Sequence, residues 1–84
     1  MQKVRPLFFV KDAVGYYAYG AKGRMLAAVE LNEYANHSSE RWVGTYYTPE
    51  GERESRKYAS REDAQLALST IYQQSGREDH KYCR

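Results

Sequence analysis

The apolar positions in the last third of the chain repeat with the period of an α-helix. Ser60 and Asp63 have the spacing of a capping box, and Glu62 adds negative charge to the first turn, where the helix dipole favours it. Gly76 is a natural helix stop. The pattern predicts a helix over residues 61–75. Its apolar stripe consists of Ala64, Ala67, Leu68, Ile71 and Tyr72.

A hairpin is predicted immediately before this helix. Residues 41–47 are rich in aromatic and β-branched side chains, which favour strands. Residues 48–51 read Thr-Pro-Glu-Gly, a sequence with the chemistry of a turn. Residues 52–58 alternate along a strand, but Tyr58 is the only apolar side chain on either face. These charges indicate a solvated or edge strand that resists edge-to-edge aggregation.

The first half of the chain predicts a second hairpin. Residues 15–19 form its first strand and residues 20–23 its turn. Residues 24–31 alternate as the second strand, although a short helix over residues 25–35 is a rival interpretation, since these residues also favour helices. A further strand is expected at residues 6–10, and residues 32–40 form a loop. Four residues on one face of the second strand are apolar: Met25, Ala27, Val29 and Leu31.

These elements predict an α+β fold: an antiparallel sheet of four to five strands, made of two hairpins, with one C-terminal helix packed on one face. Residues 1–76 form a single domain, and residues 77–84 form a flexible polar tail. The core is expected between the helix stripe and an inner sheet face. That face comprises Leu7, Phe9, Met25, Val29 and Leu31, with Trp42 or Val43.

Composition limits the functions that such a domain performs. The 84 residues carry 13 Lys and Arg against 11 Asp and Glu, a balance too even to indicate nucleic acid or a membrane by itself. No apolar run is long enough for a signal peptide or a membrane span. Cys83 is the single cysteine, so no internal disulfide forms, and we expect a soluble cytoplasmic protein.

No catalytic or metal-binding constellation is evident. His37 lies in the predicted loop and His80 in the predicted tail, and neither has companion ligands at the spacing of a metal site. Cys83, near the end of the chain, lacks the positioned base that a nucleophile needs. No pair of carboxylates is placed for acid–base chemistry. We therefore expect no enzymatic activity, no cofactor and no metal.

Tyrosine is unusually frequent, and it is interleaved with basic residues in both hairpins. The chain has nine tyrosines and two phenylalanines. Tyr, Trp and Arg are enriched at the energetic centres of protein interfaces, and they also stack on bases and contact phosphates. An equally weighted interpretation is that the tyrosines pack under the helix while Arg and Lys solubilise the sheet. The candidate binding residues are Tyr16, Tyr17, Tyr19, Arg24, Arg41, Tyr46, Tyr47, Arg53, Arg56 and Lys57.

Residues 41–68 resemble the strand–strand–helix part of the small arm-binding domain at the N-terminus of phage-type tyrosine integrases. The matching pattern is Trp42, Tyr46, the turn ending at Gly51, a charged strand to Tyr58, and Ser-Arg-Glu-Asp-Ala opening the helix from Ser60. The resemblance implies a three-stranded sheet that enters a DNA groove, without recombinase activity. By the same resemblance, the DNA contacts are Arg53, Ser55, Arg56 and Lys57. The neighbouring Glu50, Glu52 and Glu54 oppose the approach of phosphates.

In size and composition, the chain is similar to small phage or prophage proteins that block a host machine, such as anti-CRISPR proteins. The first hypothesis is therefore stoichiometric binding to a host protein or protein complex. The second hypothesis is a nucleic-acid-binding module that uses the Arg- and Tyr-rich sheet. The third is a homodimeric accessory subunit.

Overall fold

A computed structural model describes residues 6–80 as one five-stranded antiparallel sheet followed by a helix. The strands lie side by side in chain order, so every connection joins neighbours. The predicted α+β fold, with its two hairpins and single C-terminal helix, is confirmed. The elements are β1 (Val10–Lys11), β2 (Gly15–Tyr19), β3 (Met25–Leu31), β4 (Trp42–Tyr47), β5 (Arg53–Tyr58) and α1 (Arg61–Ser75), with a 3-10 turn at Ser38–Glu40.

Two alternatives in the first half are resolved by the sheet. The rival helix over residues 25–35 is wrong, because β3 pairs with β2 on one side and β4 on the other. Pairing on both edges outweighs the helix propensity of its Ala, Leu and Met side chains. The strand expected at residues 6–10 is also corrected, since only Val10–Lys11 pairs with β2.

The helix has the predicted bounds and caps. The Ser60 side chain accepts a hydrogen bond from the Asp63 backbone N–H at 3.0 Å, which satisfies one of the free donors of the first turn. Gly76 ends the helix in the left-handed conformation with φ of +76°. The stripe faces the sheet, with Ala64, Leu68 and Tyr72 buried.

Gly44 lets the helix come close to the centre of the sheet. A Cβ at this position would lie 2.9 Å from a ring carbon of Tyr58 and 3.4 Å from Leu68 Cδ1. Tyr58 lies on β5, diagonally across from Gly44, whose direct partner is Arg56. The Tyr58 ring therefore covers the glycine and closes the gap between β4 and α1.

The core differs from the predicted one at β3. The register shifts between Ala18 and Tyr19, so that Ala18 lies opposite Ala27 but Tyr19 lies opposite Met25. The extra residue, Leu26, joins Ala27 in the core, whereas alternation predicted Met25 there. Leu31 was also expected in the core, but it is 52% exposed beside the loop of residues 32–38. The remaining expectations hold for Leu7 and Val29, which are buried, and for Phe9 and Trp42, which pack against the core.

Residues 77–80, which the sequence assigned to a flexible polar tail, make specific contacts with the rest of the fold, and we call them the closing segment. Arg77 and Asp79 form a salt bridge at 2.8 Å, and the Asp79 C=O accepts from the Ala21 N–H at 2.8 Å. His80, which was expected in a frayed tail, is buried, and its Nε2 accepts from the Phe8 N–H at 3.1 Å. Specific hydrogen bonds thus hold a polar segment that carries no hydrophobic pattern. Residues 81–84, including Cys83, lie outside the described part of the chain.

Candidate binding surface

The two faces of the sheet are unequal. Gly44 of β4 faces Leu68 of α1, so the next residue, Thr45, points to the opposite side. The register places Tyr17, Ala28, Thr45 and Ser55 in one row on that side. Within residues 6–80, no helix or strand packs over this side of the sheet. We call this side the open face, and its larger and polar side chains are Val10, Tyr17, Tyr19, Glu30, Val43, Thr45, Tyr47, Arg53, Ser55 and Lys57.

Two of the candidate tyrosines lie on the helix side and bind arginines of the same chain. The Tyr16 hydroxyl accepts from Arg61 Nη1 at 2.9 Å, and the Arg61 guanidinium lies 4.8 Å from the centre of the Tyr16 ring. The Tyr46 hydroxyl accepts from Arg77 Nη1 at 3.0 Å, and Tyr46 is buried in the core. These contacts explain Tyr16 and Tyr46 without a partner molecule.

Tyr17 lies on the open face but is also buried. Its hydroxyl donates to a Glu30 carboxylate oxygen at 2.7 Å and lies 3.2 Å from the position where Gly15 would carry a Cβ. The ring therefore extends along β2 over a glycine instead of projecting from the sheet. Burial, together with the hydrogen bond to Glu30, raises the pKa of Tyr17 from 10.0 to about 12.

The open face keeps two accessible aromatic rings. Tyr19 and Tyr47 are half-buried there, near the end of the sheet at which the β2–β3 and β4–β5 turns lie. Thr45 and Ser55, between the strands, hydrogen bond through their hydroxyls at 2.9 Å. The surface thus combines aromatic edges with short polar side chains, a composition common in protein interfaces.

Arg24 and Arg41 are not brought together. Both are exposed, but Arg24 follows the turn before β3, and Arg41 follows the loop at the other end of that strand. Arg41 instead lines a shallow depression with Trp42 and Arg61 at the start of α1. The ten candidate residues therefore do not form one continuous site.

The basic residues of β5 divide between the two sides of the sheet. Arg53 and Lys57 project from the open face with Ser55, whereas Arg56 shares the helix side with Glu54. From Arg53 to Lys57 every residue is exposed. Within residues 6–80, ion pairs join Arg61 to Glu62 and Arg77 to Asp79, and none includes a β5 cation.

A groove runs between β5 and α1, and the sequence patterns did not reveal it. We call it the β5–α1 groove. Leu66 is 59% exposed within it, although it is a large apolar residue. The available signal was Leu66 itself, an apolar position off the buried stripe of the helix. The groove is lined by Arg56, Tyr58, Asp63, Leu66, Thr70 and Ile71, with Lys57 and Ala67.

Neither the search for metal sites and membrane helices nor the comparisons with known proteins assign this chain to a family. Among residues 6–80, no three His, Cys, Asp or Glu side chains are grouped to hold a metal ion. No helix in the same part of the chain is long and apolar enough to cross a membrane. No protein-family model matches the chain, and neither a curated protein nor a solved structure matches it significantly. The resemblance of residues 41–68 to integrase arm-binding domains stays a prediction.

Proposed function

We propose that this protein acts without catalysis, by binding a partner protein stoichiometrically through the open face and the β5 side of the sheet. The observation that carries the proposal is an uncovered sheet face with two accessible rings, Tyr19 and Tyr47, on which Arg53 lies directly opposite Tyr47 and Lys57 lies further along β5. Aromatic rings next to unpaired cations are typical of interface centres. A phage-type inhibitor of a host protein complex in the bacterial cytoplasm is the role that fits this chemistry and the small size of the chain.

Affinity capture from a bacterial lysate tests the proposal. The full chain is compared with a Tyr19→Ser/Tyr47→Ser variant, and with Tyr34→Ser as the matched control, because Tyr34 is 88% exposed but lies in the loop after β3. We expect one protein, captured at a fixed ratio and rebound after purification, to be retained by the control and lost by the double variant. Equal retention by both variants would place the interface elsewhere.

Nucleic acid is the second candidate, and the alternation of β5 favours it. Arg53, Ser55 and Lys57 share the open face, while Glu54, expected to oppose phosphates, points to the helix side. Of the four DNA contacts that the integrase resemblance implies, only Arg56 lies on the helix side instead of the open face. The strand–strand–helix order of β4, β5 and α1 supports this candidate, although the sheet has five strands instead of the three that the resemblance implies.

Salt dependence separates the two candidates. Glu30 stands on the same open face and opposes a phosphate backbone, which is why protein binding is placed first. Phosphate contacts release counterions, so DNA binding through Arg53 and Lys57 weakens steeply as salt increases. Mixed-sequence duplex and single-stranded DNA are titrated at low and moderate salt. A salt-dependent complex that Arg53→Gln/Lys57→Gln abolishes would favour nucleic acid over protein.

A further inference from the structure

The outer edge of β5 offers backbone groups for another strand. β5 is the last strand of the sheet. The Thr48 N–H donates to the Glu52 C=O at 2.9 Å. Because hydrogen-bonded and non-bonded pairs alternate in an antiparallel ladder, the N–H and C=O groups of Arg53, Ser55 and Lys57 point away from β4. The 3-10 turn at Ser38–Glu40 approaches β5 but leaves residues 53–57 exposed.

A strand added at this edge would meet different chemistry on its two sides. On the helix side, alternate side chains would lie over the β5–α1 groove, against Leu66 and Ile71. On the open face, the other side chains would lie beside Arg53 and Lys57, which form no ion pair within residues 6–80. Glu54 and Arg56 are neighbours on the groove side, so their charges offset each other there.

A second copy of this chain is a poor occupant. If β5 pairs antiparallel with β5 of a second copy, and the two open faces stay on the same side, three registers give a large overlap. In the central register, two Arg53–Lys57 pairs repel and two Glu54–Arg56 pairs attract, and shifting by one pair in either direction sets Glu54 opposite Glu54 or Arg56 opposite Arg56. Like charges directly opposite each other destabilise a strand pair. Every register of a second copy therefore contains a repulsive charge pair, whereas a segment with acidic side chains beside Arg53 and Lys57 would form only attractive pairs on the open face.

We propose that the partner contributes an extended segment that pairs with β5 as a sixth strand. The segment alternates acidic side chains, beside Arg53 and Lys57, with apolar side chains over the β5–α1 groove. Main-chain hydrogen bonds supply binding, and the alternation selects the sequence. This inference rests on the proposed protein-binding function and specifies where and how the partner is held.

The test uses a seven-residue peptide of alternating Glu and Val with blocked ends, titrated into the full chain and followed by amide NMR shifts. We expect shifts at residues 53–58 of β5 and at Leu66, Thr70 and Ile71 of the helix. A peptide of alternating Lys and Val should bind about tenfold more weakly, since two favourable cross-strand charge pairs become unfavourable. Arg53→Glu/Lys57→Glu should reverse this preference.

Ser55 provides a matched pair of variants for the backbone contacts. Ser55→Pro removes the N–H that points away from β4. An edge strand accepts a proline at such a position, because no hydrogen bond within the sheet is lost. Ser55→Ala removes the hydroxyl that bonds Thr45 but keeps the N–H. We expect Ser55→Pro to lower the affinity for the Glu-Val peptide by about tenfold, because the Ser55 N–H no longer donates to the added strand. Ser55→Ala should bind as the unmodified chain does, and circular dichroism verifies that both variants fold.

Three results would overturn the inference: no shift in β5 at millimolar Glu-Val peptide, equal binding of the Lys-Val peptide, or equal binding by the Pro and Ala variants. Capture from lysate distinguishes this failure from failure of the proposed function. A partner lost by Tyr19→Ser/Tyr47→Ser but retained by Ser55→Pro leaves protein binding standing without strand addition. A salt-dependent duplex DNA complex, with no peptide binding, would replace both proposals with the nucleic-acid one.

Discussion

The guanidinium of Arg77 donates to the Tyr46 hydroxyl at 3.0 Å across 31 residues of sequence, and so joins the chain beyond α1 to the end of β4. The same Nη1 donates to the Tyr47 C=O at 2.8 Å, and Nη2 donates to Asp79 at 2.8 Å. Burial acts to raise the pKa of Asp79, but hydrogen bonds from Arg77 and Tyr72 outweigh it and hold that pKa below its ordinary range. Arg77 is therefore the centre of the closing segment.

Replacing Arg77 with Met should lower the free energy of unfolding by about 1–3 kcal/mol, because acceptors on Tyr46 and Tyr47 lose their donor while partly buried. Urea denaturation followed by circular dichroism measures this loss. Arg61→Met is the control: Arg61 also binds a tyrosine hydroxyl, but its side chain is 36% exposed against 12% for Arg77. If Arg61→Met lowered the free energy of unfolding as much as Arg77→Met does, burial would not explain the contribution of Arg77.

Gly44→Ala should destabilise the fold by about 1–3 kcal/mol, because the added methyl overpacks the space between β4 and α1. The methyl would lie 2.9 Å from the Tyr58 ring, so the ring has to move. Chemical denaturation of a double-mutant cycle with Tyr58→Leu checks this explanation. The cost of Gly44→Ala should fall when the ring is absent, and an unchanged cost would show that Tyr58 is not the obstacle.

Tyr17 should ionise near pH 12, above the ordinary tyrosine value of 10.0. Absorbance at the phenolate band, compared between the unmodified chain and Tyr17→Phe, isolates its titration. Glu30→Gln removes the negative charge and the carboxylate acceptor, so it should lower the pKa of Tyr17 toward 10.0, leaving the effect of burial. Titration of Tyr17 near 10.0 in the unmodified chain would mean that the ring is not held against Glu30.

The raised pKa of Tyr17 also sets a pH window for stability. The folded state holds the phenol proton more tightly than the unfolded state, so the stabilisation is fully present below pH 10.0 and is lost as the pH rises toward about 12. Between pH 10.0 and about 12, the melting temperature should fall more steeply with pH for the unmodified chain than for Tyr17→Phe. Parallel curves would refute the linkage.

Ser69→Ala should lower the free energy of unfolding by about 1–3 kcal/mol, although it removes one oxygen only. The buried Ser69 Oγ accepts from the Leu7 N–H at 2.8 Å, and the substitution leaves that donor buried without an acceptor. Hydrogen exchange at the Leu7 amide should accelerate as well. Thr70→Ala is the control, because its exposed hydroxyl bonds a C=O within the helix, and removing it should change stability by less than about 0.5 kcal/mol.

The periodicity of apolar residues was sufficient to predict the helix and the turn, but it did not predict which irregular positions are buried. The stripe from Ala64 to Tyr72 and the turn ending at Gly51 are local patterns, and both are confirmed. Leu26 was missed because a bulge shifts the alternation by one residue, and no residue type marks it. Ser69 was missed because a polar residue on a helix indicates a solvent-facing position, yet its partner lies 62 residues away.

The surface was harder to predict than the core. Tyrosine frequency indicated a binding site, but Tyr16 and Tyr46 bind Arg61 and Arg77, which lie far along the chain. The charge pattern of β5 did indicate an edge strand, since charges on both faces fit no buried position. The groove beside it depends on where α1 lies across the sheet, which alternation along one strand does not encode.

The meander order of the strands has a consequence for synthesis on the ribosome. Each strand pairs with the one made just before it, so the sheet assembles from short loops as it emerges. Its apolar side, however, is covered by α1, which is translated after all five strands. Nascent chains that end before the helix would expose Val29, Tyr46 and their neighbours together. Chaperones should therefore bind the new chain until α1 is free of the ribosome and packs on the sheet.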